Sequence, residues 1–150
     1  MARMHCLACP VFRKSIFRDL RADHLDGLSE VKEFHPFTVG QVVLKAGGPY
    51  QGVVCLQSGR LAVSMGGEGR GTIINVGAPG EVFGLRDWNV SATNTREVVG
   101  TEAGYYCFIP KEELDRLSAE DPSLMACVFD HLCRRIASVE KSVEEKREQG

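Results

Sequence analysis

The spacing of apolar positions changes twice along the chain. In residues 22–28, Leu25 and Leu28 fall on one side of a helical wheel, which predicts a short amphipathic helix. From Val31 to about Ile109 the spacing shortens. Short β-branched or aromatic runs at residues 41–44, 52–56, 60–63, 72–76, 81–83, 97–99 and 105–109 predict strands. Glycine-bearing stretches at residues 45–49, 58–59, 66–69 and 79–80 read as the turns between them. Strands this short and evenly spaced suggest a sandwich or barrel-like roll. Past Ile109 the helical spacing returns. Pro110 opens a short helix over residues 111–117, and Asp121 with Pro122 reads as the N-cap and first residue of a longer one.

Within that last helix Met125, Phe129, Leu132, Ile136, Val139 and Val143 recur at alternating steps of four and three, an a/d seam with Phe129, Ile136 and Val143 at a. The seam predicts a homodimer joined along these helices. Arg135 at g and Glu140 at e would meet across a parallel pair, and the competing arrangement lays the seam on the chain's own roll. The expected organisation is a cysteine-bearing N-terminal segment (1–21), a roll (22–120), and a dimerisation helix with a solvated tail (121–150).

Composition narrows the class. A chain of 150 residues with 43% apolar and 25% charged side chains is one soluble globular domain able to bury a core. Its net charge of −2 offers no basic footprint, so direct nucleic-acid binding is not expected. No apolar run reaches membrane-helix length and residues 1–6 lack a hydrophobic signal region, which predicts a cytoplasmic protein with no membrane partner. Thiols stay reduced there, so the six cysteines are candidate ligands, sensors or core residues rather than a disulfide framework.

Cys6 and Cys9 form a C-x-x-C pair, and Cys107 lies in a strand-like run. Together they are soft donors suited to a metal or an iron-sulfur cluster. The plain alternative makes Cys107 strand core and Cys6 with Cys9 a simple thiol pair. His5 is placed to join that pair, whereas His24 and His35 read as surface residues and His131 as a packing residue with a modest pH response. Cys127 and Cys133 fall at f and e of the seam and are not counted as ligands. Trp88 reads equally as a pocket lid or a core plug. The glycine run at residues 66–71 lies between strand patterns and reads as a hairpin tip. There is no phosphate-cradling loop, H-E-x-x-H, nucleophile elbow or carboxylate pair, so an enzyme is not expected.

Three segments carry a family resemblance. Leu56-Gln57-Ser58-Gly59-Arg60-Leu61, Pro79-Gly80-Glu81-Val82-Phe83-Gly84, and the passage from Ile109-Pro110 to Asp121-Pro122 resemble the sensor half of the catabolite-activator and FNR superfamily of bacterial regulators. The likeness implies a double-stranded β-helix (jelly-roll-like) roll, a short N-terminal helix and a long dimerisation helix. His5-Cys6-Leu7-Ala8-Cys9 and Cys107 are most similar to the oxygen-sensing FNR branch, which implies a [4Fe-4S] cluster held by Cys6, Cys9 and Cys107. That branch's remaining N-terminal cysteine would fall near Ser15, so Cys55, a carboxylate, or nothing is left as fourth ligand.

Cyclic-nucleotide members hold the ribose with a carboxylate after the glycine. Here Gly84 is followed by Leu85 and Arg86, and Arg96 stands out of the expected order beside Glu97. Gly84, Arg86 and Arg96 remain candidates for an effector anion. The superfamily continues into a winged helix-turn-helix, which residues 1–150 do not hold, so the expected output is a partner protein or a DNA-binding domain outside this segment. The expected function is a regulatory sensor of redox state, a metal or cluster, or a small effector, signalling to transcription control. The alternatives are a ligand-free dimerisation module and a cyclic-nucleotide-binding protein.

Overall fold

A computed structural model describes residues 4–65 and 72–149. Helix α1 (Ala22–Val31) leads into strands β1 (Glu33–Phe37), β2 (Val42–Leu44), β3 (Gly52–Met65), β4 (Thr72–Gly77), β5 (Val82–Phe83) and β6 (Glu97–Pro110). Helices α2 (Lys111–Glu120) and α3 (Pro122–Gln149) follow. Ahead of α1, residues 4–21 form a strap with 3-10 turns at Cys6–Ala8 and Phe12–Lys14. All strand pairings are antiparallel, in the order β1-β6-β3-β4, with β2 on β6 and β5 on β3. This is the expected jelly-roll architecture with a long C-terminal helix.

Two departures from the sequence reading have a common cause. The runs at 52–56 and 60–63 merge into β3, and those at 97–99 and 105–109 merge into β6. The turn expected at Ser58 and Gly59 is instead a bulged stretch, with register shifts between Leu56 and Leu61. Gly59 adopts φ +84, and a Cβ at Gly59 or Gly104 would strike the facing backbone. The glycines here let two strands press together; they do not end them. Pro36 interrupts the strand pattern of β1 in the sequence. It is tolerated because β1 is an edge strand. The glycine run at 66–71 lies outside the described residues.

Alternation along β3 and β6 divides the interior. Val53 and Cys55, with Cys107 and Ile109, face a layer made by the strap, α1, α2 and the start of α3. Val54 and Leu56 face the other way, into the roll, with Leu61, Val63, Phe83 and Val98. Leu114, Leu117 and Leu124 anchor the helical layer and are fully buried.

Asp121 joins strap, α1 and α3. Its Oδ1 accepts the Ser123 backbone N–H at 3.1 Å, the expected N-cap bond, and its Oδ2 accepts the Arg21 N–H at 3.0 Å and His24 Nδ1 at 2.8 Å. These bonds, led by the Arg21 N–H, hold its carboxyl well below the usual range. His24 is therefore buried, not on the surface as expected. Among the described residues no helix is long and apolar enough to cross a membrane.

Candidate functional site: a thiol cavity and a roll pocket

The two faces of the β3–β6 pair carry two different cavities. On the helical side is a small one, about 20 Å³, lined by Cys6, Cys9, Cys55 and Cys107 together with Ser15, Lys32 and Gln57. Cys55 and Cys107 are directly opposed across the β3–β6 ladder, so their side chains share a face. Gln57, two residues on from Cys55, shares that face as well. Its amide spans two thiols: Cys9 Sγ donates to Oε1 at 2.9 Å, and Nε2 donates to Cys107 Sγ at 3.4 Å.

Burial pushes the Cys107 thiol up to about 11, with the Lys32 ammonium opposing that rise. Burial raises Cys55 as well, reinforced by the neighbouring thiols. Lys32 itself is 5% exposed and has no carboxylate within ion-pair reach among the described residues. The buried Lys32 side chain lies among the residues that line this cavity, where it would balance negative charge placed there. Four thiols are the donor number and type that a zinc or iron-sulfur site takes, so the donor set fits such a group. Their present arrangement is that of thiols separated by an amide. Among the described residues no three His, Cys, Asp or Glu side chains stand close enough together to hold an ion. Ser15, near which the FNR branch's remaining cysteine would fall, donates its hydroxyl to Phe12 O at 2.8 Å and accepts the Phe17 N–H at 3.2 Å. Both ring nitrogens of His5 are engaged, with Asp26 and the Leu7 N–H, so His5 does not join the thiols.

The strap carries this cavity to α3. Arg18 reaches Asp130 at 3.3 Å, Ser123 Oγ donates to Asp19 O at 3.0 Å, and the buried Cys127 thiol lies 3.4 Å from Asp19 Oδ2. Cys133, by contrast, is exposed.

Inside the roll lies a far larger cavity of about 560 Å³, closed on one side by Leu132, Arg135, Ile136, Val139 and Glu140 of α3. The sequence candidates Gly84, Arg86 and Arg96 all line it. Gly84 takes a left-handed conformation at φ +97, and Arg86 is exposed. Trp88 is a core plug, 6% exposed, with Nε1 donating to Asp115 at 2.8 Å. On α3, His131 Nε2 and Arg135 Nη1 both donate to Val82 O, at 3.1 and 3.2 Å. The Arg135 guanidinium lies 4.8 Å from the Phe83 ring centre and 3.8 Å from Glu81. Arg135 thus turns into its own roll rather than outward toward a partner's Glu140. Burial holds His131 below the ordinary histidine value, with Arg135 adding to the effect.

The seam splits along its length. Met125, Phe129, Ile136 and Val143 are exposed (46%, 71%, 58% and 52%), while Leu132 and Val139 lean on the roll. Sequence reading missed Lys32, Gln57 and the inward Arg135. For Gln57 the period-two step from Cys55 was an available signal; for Lys32 there was none.

The architecture is an antiparallel roll with a wide pocket bordered on one side by the long helix α3. The chain belongs to the cyclic nucleotide-binding domain family, whose model matches residues 34–121. Among solved structures it is similar in fold to the sensor domain of the transcriptional regulator DNR from Pseudomonas aeruginosa, at 14% identity and TM-score 0.72, covering 83% of this chain and 90% of that one. It is also similar to the catabolite activator protein of Thermus thermophilus (16%, TM-score 0.68, covering 88% and 62%). A third is a CooA mutant from Carboxydothermus hydrogenoformans (12%, TM-score 0.68, covering 87% and 84%). No curated sequence relative matches the chain.

Proposed function

We propose that this chain is a regulatory sensor of the catabolite-activator and FNR type, with the thiol cavity as its input and the pairing of α3 with a second copy as its output. The observation that carries the reading is the strap. It supplies Cys6 and Cys9 to the cavity and, within the next dozen or so residues, binds Asp130, Ser123 and Asp121 at the start of α3. A change of state at the thiols therefore acts on the helix through covalent chain and a few hydrogen bonds.

Cys6, Cys9, Cys107 and Cys55 would hold a soft metal or an iron-sulfur cluster, as the FNR branch does with its own cysteines. Such a centre supplies redox or oxygen sensitivity when bound. Loading requires the Gln57 amide to withdraw from between Cys9 and Cys107, and Lys32 then balances the thiolate charge. The output rests on the exposed apolar row Phe129, Ile136 and Val143, at heptad spacing, with Met125 one turn ahead of it, which a second α3 would cover. In a regulator of this class, helix pairing sets the spacing of DNA-binding heads, and transcription control is the function we assign.

Anaerobic incubation with ferrous iron and sulfide tests the input. The wild type is expected to gain visible charge-transfer absorbance, and Cys6→Ser and Cys107→Ser to lose it. A colourless wild type with no zinc or cobalt binding would leave only a dimerisation module.

A further inference from the structure

Two of the thiols around the small cavity, Cys9 and Cys107, are bonded through the Gln57 amide that stands between them. Cys55 stands in a different relation to Cys107. Residues 52–56 of β3 pair with residues 106–110 of β6 without a shift, which sets Cys55 opposite Cys107. One step beyond this run the Lys111 N–H donates to Gln51 O at 2.8 Å. Ladder bonds recur at every second pair, so Cys55 and Cys107 fall at a hydrogen-bonded pair, with Cα atoms about 5.5 Å apart.

A disulfide spans Cα separations of about 4.4–6.8 Å and Cβ separations of about 3.5–4.5 Å. Opposed Cβ atoms on neighbouring strands lie about 4.5–5.5 Å apart, so a bridge here draws them together by about 1 Å and leaves the register as it is. Both side chains line the same cavity, and both are free thiols. Cys107 also lines a second small cavity, with Met4, Lys32 and Phe34, which Cys55 does not reach. Met4 is exposed, so a small solute entering past it meets Cys107 first.

We infer that Cys55 and Cys107 close a reversible cross-strand disulfide when the metal-free chain meets a peroxide. Cys107 Sγ attacks one peroxide oxygen and the O–O bond breaks, which leaves a sulfenic acid and, with the thiol proton, one water. Cys55 Sγ then attacks that sulfur. The S–S bond forms as the S–O bond breaks, and the hydroxyl leaves with the Cys55 proton as a second water. Two electrons pass from the pair of sulfurs to the peroxide. A bridge that has to draw its strands inward is a labile one, which a thiol reductant reopens. The bridge rests on strand register; its consequence, the loss of two of the four donors that a metal centre would use, rests on the thiol-cavity reading.

Mass-spectrometric disulfide mapping of the whole chain tests this. The protein is reduced, stripped of metal with a chelator, treated with hydrogen peroxide and alkylated in denaturant. The expected product is a linked pair of peptides carrying Cys55 and Cys107, lost again on treatment with dithiothreitol. Replacing Cys6 and Cys9 together by serine should change the rate of its formation less than threefold. In Cys55→Ser, Cys107 should instead accumulate as a sulfenic acid that dimedone traps. Cys107 linked to Cys6 or Cys9 in the wild type, or Cys55 still free once Cys107 is oxidised, would overturn the inference, and neither result depends on a variant folding. Peroxide-treated chain given ferrous iron and sulfide should gain at least tenfold less visible absorbance than reduced chain, with recovery in dithiothreitol; equal absorbance would overturn the effect on loading. The map is read without iron, so a chain that takes up no iron counts against the metal reading alone.

Discussion

The two cavities differ in nearly every physical respect, though they are separated by little more than one layer of strand. The thiol cavity is small and lined in part by the strap, with soft donors and the buried Lys32 side chain. The roll pocket is wide and apolar, with guanidinium groups at its rim and walls. Residues that alternate along β3 serve one cavity or the other, Cys55 and Gln57 on one face, Val54 and Leu56 on the other. What they share is α3. The strap grips its first turns through Asp121, Ser123 and Asp130, whereas the pocket touches its middle from Leu132 to Glu140. One helix is thus contacted at two heights by the surroundings of two unlike cavities.

The largest expected effect strikes the shared output. Ile136→Glu places a charge in the exposed seam, which should weaken pairing at least a hundredfold, about 3 kcal/mol. Sedimentation equilibrium should then report monomers, and an unchanged dimer would show that the interface lies elsewhere. Next in size, Asp121→Ala removes the cap of α3 and leaves His24 Nδ1 and the Arg21 N–H without this acceptor. Denaturant unfolding should show a loss of about 2 kcal/mol, and the strap should become more open to hydrogen exchange than the roll.

His131 sharpens the contrast through pH. Its folded value is depressed by burial, so the unfolded chain binds the proton more readily and stability rises with pH. The contribution is full above the ordinary value of 6.5 and is lost as pH falls from there toward the depressed folded value. Denaturant midpoints across that window should fall on acidification. His131→Gln, which keeps a donor for Val82 O, should flatten the slope at a cost of about 0.5 kcal/mol at pH 8. The smallest effect belongs to Gln57→Ala. Removing the amide between Cys9 and Cys107 should change stability by less than about 1 kcal/mol yet raise cobalt(II) uptake, read from its thiolate absorption bands.

The parts of this molecule governed by periodicity were legible in the sequence. Helix α3, the Asp121 cap and most strands follow from spacing and turn chemistry, and the family follows from three short segments. What was hidden depends on pairing partners. Gly59 reads as a turn until β6 is seen to press against it through Gly104. Pro36 hides β1 until the strand is known to lie at an edge. Heptad position sends Arg135 to a partner helix, but the Val82 carbonyl and the Phe83 ring draw it inward, since a solvated interhelical pair offers less than a buried carbonyl and an aromatic face. At the thiol cavity the cysteines were visible as types and spacings. Their convergence with Lys32 and Gln57 required the register of β3 on β6 and the path of the strap.

If the thiol cavity governs α3, loading it must change how two copies of the helix pair. Sedimentation velocity, run anaerobically on the wild type before and after incubation with ferrous iron and sulfide, addresses it most directly, with Cys107→Ser in parallel. The dimer dissociation constant of the wild type is expected to shift at least tenfold, and that of Cys107→Ser not at all. Wild-type pairing that stays the same after loading, or an equal shift in Cys107→Ser, would contradict it.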